Sequence, residues 1–289
     1  MSKLRVFAEA IKFEHTVFAL PFAYLGMLLA AEGWPTWPQF LWITVAMGAA
    51  RTMAMALNRV IDRESDAANP RTAARAVPRG LLRGRDMWLA SGVSLAVLTI
   101  AAWQLNPLCL VLLPGAVVVL GLYSYTKRFT WLSHGVLGVA DGLAPIGAWV
   151  GVTGDLSWPP LALGLAVAVW IAGFDLLYAC QDIEFDQTAG LYSYPARFGV
   201  RTTLWTSGAL HAATVALLAL VGLILGLGLP YWLGVIGAAG LLVYEHSLLR
   251  PNDLSRLDMA FFNVNGYIAV LLFVATGADL AVRGWWSSL

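Results

Sequence analysis

Apolar residues run in long blocks along this chain, and the polar stretches between them are short. Nine blocks are long enough to be spanning helices, at roughly 13–31, 39–62, 87–104, 107–125, 132–153, 159–182, 204–227, 229–249 and 260–282. A helix needs about 20 mostly apolar residues to cross a bilayer. The pattern therefore predicts an all-α polytopic membrane protein, a bundle of nine transmembrane helices with cytoplasmic cap loops, as one domain over 1–289. The third and fourth blocks are parted only by Gln104-Leu105-Asn106-Pro107, and the seventh and eighth by the break at Gly228 and Pro230. Glu9 and Glu14 in the flank of the first block, with no soluble domain after it, argue against a signal peptide.

Composition agrees. The chain is 59% apolar and only 12% charged, where soluble domains carry about 25% charge. A cytosolic enzyme, a disordered chain and a secreted disulfide scaffold are excluded. A net charge of +1 gives no basic field for nucleic acid. Cys109 and Cys180 lie in apolar runs without a CxxC partner or a nearby histidine cluster, which argues against a structural disulfide or a zinc site. Trp34, Trp37, Trp158, Trp285 and Trp286 read as interfacial belts.

The basic residues give orientation. If nine helices alternate, Lys3, Arg5, Lys12, the six arginines of 63–86, Lys127, Arg128, Arg197, Arg201, Arg250 and Arg256 share one side, and only Arg283 lies on the other. The positive-inside rule puts the N-terminus and the long loops in the cytoplasm and the C-terminus outside. Arg51 and Arg59 are left within the second helix.

That helix ends in NRVIDRESD. Asn58, Asp62 and Asp66 are spaced i, i+4, i+8 and would stack on one helix face. Like charges at that spacing repel, more so where solvation is poor, unless a divalent cation lies between them. An all-oxygen set points to Mg²⁺. The sixth helix ends in DLLYACQDIEFD, with Asp182 and Asp186 again at i, i+4 and with Asp175 and Tyr178 before them. Each run is followed by a polar loop with Pro and Gly, at Pro78-Arg79-Gly80 and at Pro195 and Gly199. This suggests a weak internal repeat whose two acidic clusters face each other across a shared cavity and hold two Mg²⁺ ions on one diphosphate.

Cations fit that picture. Arg71, Arg75 and Arg79 recur every fourth residue after the first cluster, and Lys127 and Arg128 follow Tyr123 and Tyr125. Beside metal sites some of these become diphosphate ligands; Arg83 and Arg85 read only as positive-inside residues. Arg51, two turns before Asn58, is costly in an apolar span unless paired. Either Asp141 or Asp175 satisfies it, or it meets an anionic substrate, for which a guanidinium fork suits a carboxylate. Tyr123 or Tyr178 could line the cavity and face a carbocation. His15, His134, His211 and His246 show no ligand spacing and read as packed or interfacial residues.

These residues resemble the UbiA superfamily of intramembrane aromatic prenyltransferases. The likeness covers nearly the whole chain and rests on the N-x-x-x-D-x-x-x-D and D-x-x-Y-A-x-x-D-x-x-x-D runs. It implies two Mg²⁺ ions on a polyprenyl diphosphate, a cavity open sideways to lipid, and an aromatic acceptor. In the 4-hydroxybenzoate branch an Arg seven residues before the motif Asn meets the acceptor carboxylate, and Arg51 holds that place. The loop ARAVPRG departs from the family's common Arg-Pro-Leu-Pro-like stretch. FEHTVFALPFAYLG resembles the subgroup of the futalosine route to menaquinone, whose acceptor, 1,4-dihydroxy-6-naphthoate, also carries a carboxylate.

The resulting expectation is Mg²⁺-dependent transfer of a polyprenyl group to an aromatic acid in quinone biosynthesis. Asn58, Asp62, Asp66, Asp182 and Asp186 hold the metals, and Lys127, Arg71, Arg75 and Arg128 meet the diphosphate. Arg51 orients the acceptor, and Asp175 or Asp62 takes a proton. A secondary transporter is the competing class, since intramembrane acids also mark ion paths. The acids sit at cytoplasmic helix ends rather than at broken helices near the midplane, which weighs against it. A non-catalytic scaffold gives no reason for two metal-spaced clusters.

Overall fold

The computed structural model describes residues 3–12, 16–257 and 259–284. Glu14, His15, Trp285 and Trp286 lie outside them. Among the described residues there are twelve α-helices: α1 (Lys3–Ala10), α2 (Thr16–Ala31), α3 (Trp37–Ile61), α4 (Arg63–Ala68), α5 (Gly84–Leu105), α6 (Pro107–Thr126), α7 (Ser133–Thr153), α8 (Trp158–Ala179), α9 (Ile183–Thr188), α10 (Tyr194–Ile224), α11 (Leu229–Ser247) and α12 (Asn265–Val282). The all-α expectation holds, and each of the nine apolar blocks forms a helix. Among the described residues seven of these are long and apolar enough to cross a membrane, not the nine expected. The two that fall short are α2, of 16 residues, and α11, whose last turn carries Glu245 and His246. The other three helices, α1, α4 and α9, are short.

Local signals set the helix ends. Thr36 caps α3 with its side chain, in a box with Gln39, and Pro38 follows at the first turn. Asn106 closes α5 and opens α6, where its side chain accepts from the Cys109 amide at 3.0 Å. Its own amide reaches the Val150 carbonyl at 2.7 Å, tying this turn to α7. Ser193 caps α10 ahead of Pro195, so that helix begins ten residues before the 204 expected. Gly199 inside it has φ 77°, where the axis kinks.

The packing is inside out relative to a soluble protein. The buried residues of α6 are Ser124 and Thr126, while Val111, Val118 and Leu122 are exposed. Apolar surface faces outward because lipid, not water, surrounds it. The main core gathers Phe22, Trp170, Leu218, Tyr231 and Leu272 from α2, α8, α10, α11 and α12. In hydrocarbon, helix contacts depend on close packing rather than on a hydrophobic drive, so small residues line them. Here α7 presents Gly138 and Gly142 to α8. A Cβ at Gly138 would overlap the Ala168 carbonyl, and one at Gly142 the carbonyl of Gly164.

Gly138→Ala should therefore push α7 from α8 and lower the thermal midpoint in detergent by several degrees, in line with the roughly 1–3 kcal/mol of an overpacked core. Gly147→Ala, with open space at its Cβ, should melt as the parent does. Equal midpoints for all three proteins would remove this contact from the account.

Candidate active site

Both acidic motifs break at the same place. The α3 helix ends at Ile61, and Asp62 takes φ −93°, ψ 6° before α4 begins. The α8 helix ends at Ala179, a 3₁₀ turn covers Cys180–Asp182, and Asp182 takes φ −104°, ψ 6° before α9. The expected continuous stack of Asn58, Asp62 and Asp66 on one helix is thus corrected. The turn at Asp62 starts a new short helix and carries Asp66 inward, where it is buried, as Asp186 is on α9. This near-match of dihedrals is the structural counterpart of the two similar sequence runs.

The motifs meet. Asn69, just past α4, donates to Asp182 Oδ1 at 3.0 Å. Arg71 grips both oxygens of Asp182, through Nε at 2.9 Å and Nη2 at 2.5 Å. Its Nη1 reaches the Tyr178 hydroxyl at 3.1 Å, and the guanidinium lies 5.2 Å from that ring. The cations expected on a diphosphate therefore rest on the carboxylates expected on metals. Arg75 Nη1 bonds both oxygens of Asp66 at 2.7 and 2.9 Å. Lys127 Nζ lies 4.0 Å from Asp186. Arg128 bonds the Ile61 carbonyl at 2.7 Å and stands 3.5 Å from Asp62. Asn58 donates to Asp62 at 2.6 Å and to the Ser124 hydroxyl at 3.2 Å.

The electrostatics follow from this pairing. Burial pushes the Asp62 carboxyl above the usual carboxylate range, with Arg128 opposing and Asp66 assisting. Burial pulls Arg71 down, but the hydrogen bond and charge of Asp182 outweigh it and leave the guanidinium above its ordinary value. Arg59, assigned no role in the sequence, is buried. It donates to the Ala10 carbonyl at 3.0 Å and faces Asp66 at 3.5 Å, so it ties α1 to the first motif.

Beneath the mouth is a cavity of about 820 Å³. Arg51, Asn58, Tyr123, Asp141, Asp175 and Tyr178 line it, with an apolar wall that includes Trp170 and Phe174. Arg51 Nε is buried without a hydrogen-bond partner. Of its two expected partners, Asp141 feels its charge without forming an ion pair with it, and Asp175 is held by His134, Nδ1 to Oδ2 at 2.6 Å. His134 is therefore not merely a packed residue. His211 and His246 pair with each other at 3.0 Å across α10 and α11.

Among the described residues no group of three or more His, Cys, Asp and Glu encloses a metal by itself. The donor set still suits a hard cation. It is all oxygen, and Asp186 Oδ2 is buried with no hydrogen-bond donor. Asn69, Arg59, Ser124 and His134 were missed from the sequence, because their partners lie far away in the chain or because their types carry no spacing signal.

Residues 19–281 match the UbiA prenyltransferase family. This chain belongs to that family. It is 31% identical to the 4-hydroxybenzoate octaprenyltransferase of Cupriavidus necator over 293 residues, 98% of this chain and 100% of that protein. It is 29% identical to the enzyme of the same name from Vibrio campbellii over 252 residues, 86% of this chain and 87% of that one. The UbiA homolog from Aeropyrum pernix K1 superposes with a TM-score of 0.83 at 32% identity, covering 93% of this chain and 98% of that one. A UbiA homolog from Archaeoglobus fulgidus, solved with DMAPP and Mg²⁺, shares the fold at a TM-score of 0.73 and 20% identity, covering 96% and 99%.

Replacing Arg59 with Met should free α1 and leave Asp66 on Arg75 alone. Limited proteolysis is expected to cleave the N-terminal segment several times faster than in the parent. An unchanged cleavage rate would mean that Arg59 does not anchor α1.

Proposed function

We propose that this protein is an integral membrane enzyme that transfers a polyprenyl group from polyprenyl diphosphate to an aromatic carboxylic acid of the 4-hydroxybenzoate type, in quinone biosynthesis. One observation carries the reading: two aspartate motifs, each with its own cations, close over an apolar cavity whose wall presents an Arg51 Nε without a partner. The names of the Cupriavidus and Vibrio relatives support the acceptor, and the Archaeoglobus homolog solved with prenyl diphosphates and Mg²⁺ supports the donor.

Asn58, Asp62, Asp66, Asp182 and Asp186 would hold Mg²⁺ directly or through water. A metal held there would supply Lewis-acid charge neutralisation to the diphosphate leaving group. Arg71, Arg75, Lys127 and Arg128 turn from their carboxylates to the diphosphate oxygens and stabilise charge that grows as the bond breaks. The apolar wall keeps water from the allylic cation, and Tyr123 and Tyr178 offer it ring faces. Arg51 receives the acceptor carboxylate and sets the ring carbon beside the hydroxyl toward the cation. Asp175 or Asp62 accepts the proton that this carbon loses.

The orientation we infer places α1, the acidic motifs and the long loops on the cytoplasmic side and the C-terminus outside, with α2 and α11 crossing to complete nine spans. It rests on 15 of 18 Lys and Arg falling on one side under that count.

Asp62→Ala and Asp182→Ala should abolish Mg²⁺-dependent diphosphate release from geranyl diphosphate in purified protein; full activity in either would sink the metal assignment. Arg51→Ala should raise the KM for the aromatic acid by about 10- to 100-fold, the equivalent of a charged hydrogen bond of roughly 1.5–3 kcal/mol, with the KM for prenyl diphosphate kept. A wild-type assay with 4-hydroxybenzoate beside 1,4-dihydroxy-6-naphthoate reads the acceptor. Prenylated 4-hydroxybenzoate is expected, and product from the naphthoate alone would move the enzyme to the menaquinone route.

A further inference from the structure

Arg51 and Asp175 lie inward of the breaks that end their helices. Arg51 is eleven residues before Asp62, and Asp175 is seven before Asp182. At about 1.5 Å per residue, Arg51 sits roughly 16 Å and Asp175 roughly 10 Å below its break. Asp175 therefore lies at a level between a diphosphate held at the motifs and Arg51. An aromatic acid with its carboxylate on Arg51 and its ring toward the diphosphate places that ring at the level of Asp175. Asp62 is badly placed for the ring proton, because it belongs to the upper level and is held by Asn58 at 2.6 Å and faced by Arg128 at 3.5 Å.

Asp175 is built for such a task. It borders the cavity with 21% of its side chain exposed, while His134 behind it is 3% exposed. His134 Nδ1 stands 2.6 Å from Asp175 Oδ2. His134 Nε2 is buried without a partner, which suits a neutral ring whose single proton is on Nδ1 and is donated to the carboxylate. The backbone enforces this alignment. His134, Gly138 and Gly142 follow at i, i+4, i+8 on the face of α7 that touches α8, so the close glycine contact also presses the imidazole onto Asp175.

We propose that His134 is a positioning residue that fixes Asp175 as the proton acceptor of the reaction; this rests on the prenyl-transfer reading above. In the step, the allylic C–O bond breaks and its electron pair leaves with the diphosphate. The ring carbon beside the acceptor hydroxyl forms the new C–C bond. That carbon's proton passes to the cavity-facing oxygen of Asp175, and the C–H electrons restore the aromatic ring. His134 keeps its proton throughout and holds the other oxygen in place. Without that bond, no other hydrogen bond among the described residues holds the Asp175 carboxylate in this orientation.

The test uses the full-length protein, geranyl diphosphate, Mg²⁺, and 4-hydroxybenzoate with hydrogen or deuterium at the carbons beside the hydroxyl. His134→Leu should lower kcat by about 100-fold, the scale of general-base catalysis, with both KM values kept. Proton removal should become slow enough for a primary deuterium isotope effect that the wild type lacks. His134→Asn, whose amide can donate to Asp175, should recover most of the rate and suppress the isotope effect. A wild-type kcat in His134→Leu, or a lowered kcat with no isotope effect in a protein of unchanged melting midpoint, overturns the proposal. If the wild type releases diphosphate but prenylates neither 4-hydroxybenzoate nor 1,4-dihydroxy-6-naphthoate, the acceptor reading fails, and this inference with it.

Discussion

Charge that must be kept at the edge of an apolar bundle has to be balanced locally, and the rest of this site follows from that need. Asp62, Asp66, Asp182 and Asp186 all lie where α3 and α8 break. Each is met by a cation from a neighbouring loop or helix: Arg128, Arg75, Arg71 and Lys127. Taking one partner from a buried pair leaves a charge in poor solvent, which costs far more than the pair contributes. The loops after α4 and α6 are therefore held down over the cavity by the same contacts that balance the carboxylates. Positioning the cap and preparing the site are one event.

A second constraint acts deeper. In lipid, α7 and α8 gain nothing from mutual hydrophobicity and must touch closely to stay together. Gly138 and Gly142 permit this by leaving the Ala168 and Gly164 carbonyls room. The same close approach brings His134 to Asp175. A packing rule for membranes thus has a chemical result: a polar pair of fixed geometry inside a cavity that is otherwise mostly apolar.

Much of this was legible in the chain. The nine apolar blocks appear as nine helices, because length and hydropathy are local properties. That α11 falls short in hydropathy reflects Glu245 and His246 in its last turn, which a count of blocks passes over. The two acidic clusters were expected to face each other; what the structure shows is Asn69 and Arg71, from the stretch after the first cluster, on Asp182 of the second. The break at Asp62 was not foreseen, since i, i+4 spacing looks the same whether a helix continues or restarts. Nor were the resting places of the arginines, because positive residues in a loop carry no address. His134 was read as a packed residue because its partner stands 41 positions away. Periodicity on one helix does not say which residue of another helix will face it.

The pairing of acids with arginines has a bearing on biogenesis. Small metal-binding domains fold only when their ion arrives, since its binding supplies the free energy of folding. Here the carboxylates already have cationic partners within the polypeptide, so the bundle can be inserted and assembled before any cation is captured. Asp186 is the exception, with one buried oxygen unbonded and its lysine at 4.0 Å. Under the proposed function, loading such a mouth would be an exchange, in which an incoming anion draws the arginines away and uncovers the carboxylates together. Donor and cation should then enter as companions, each making room for the other.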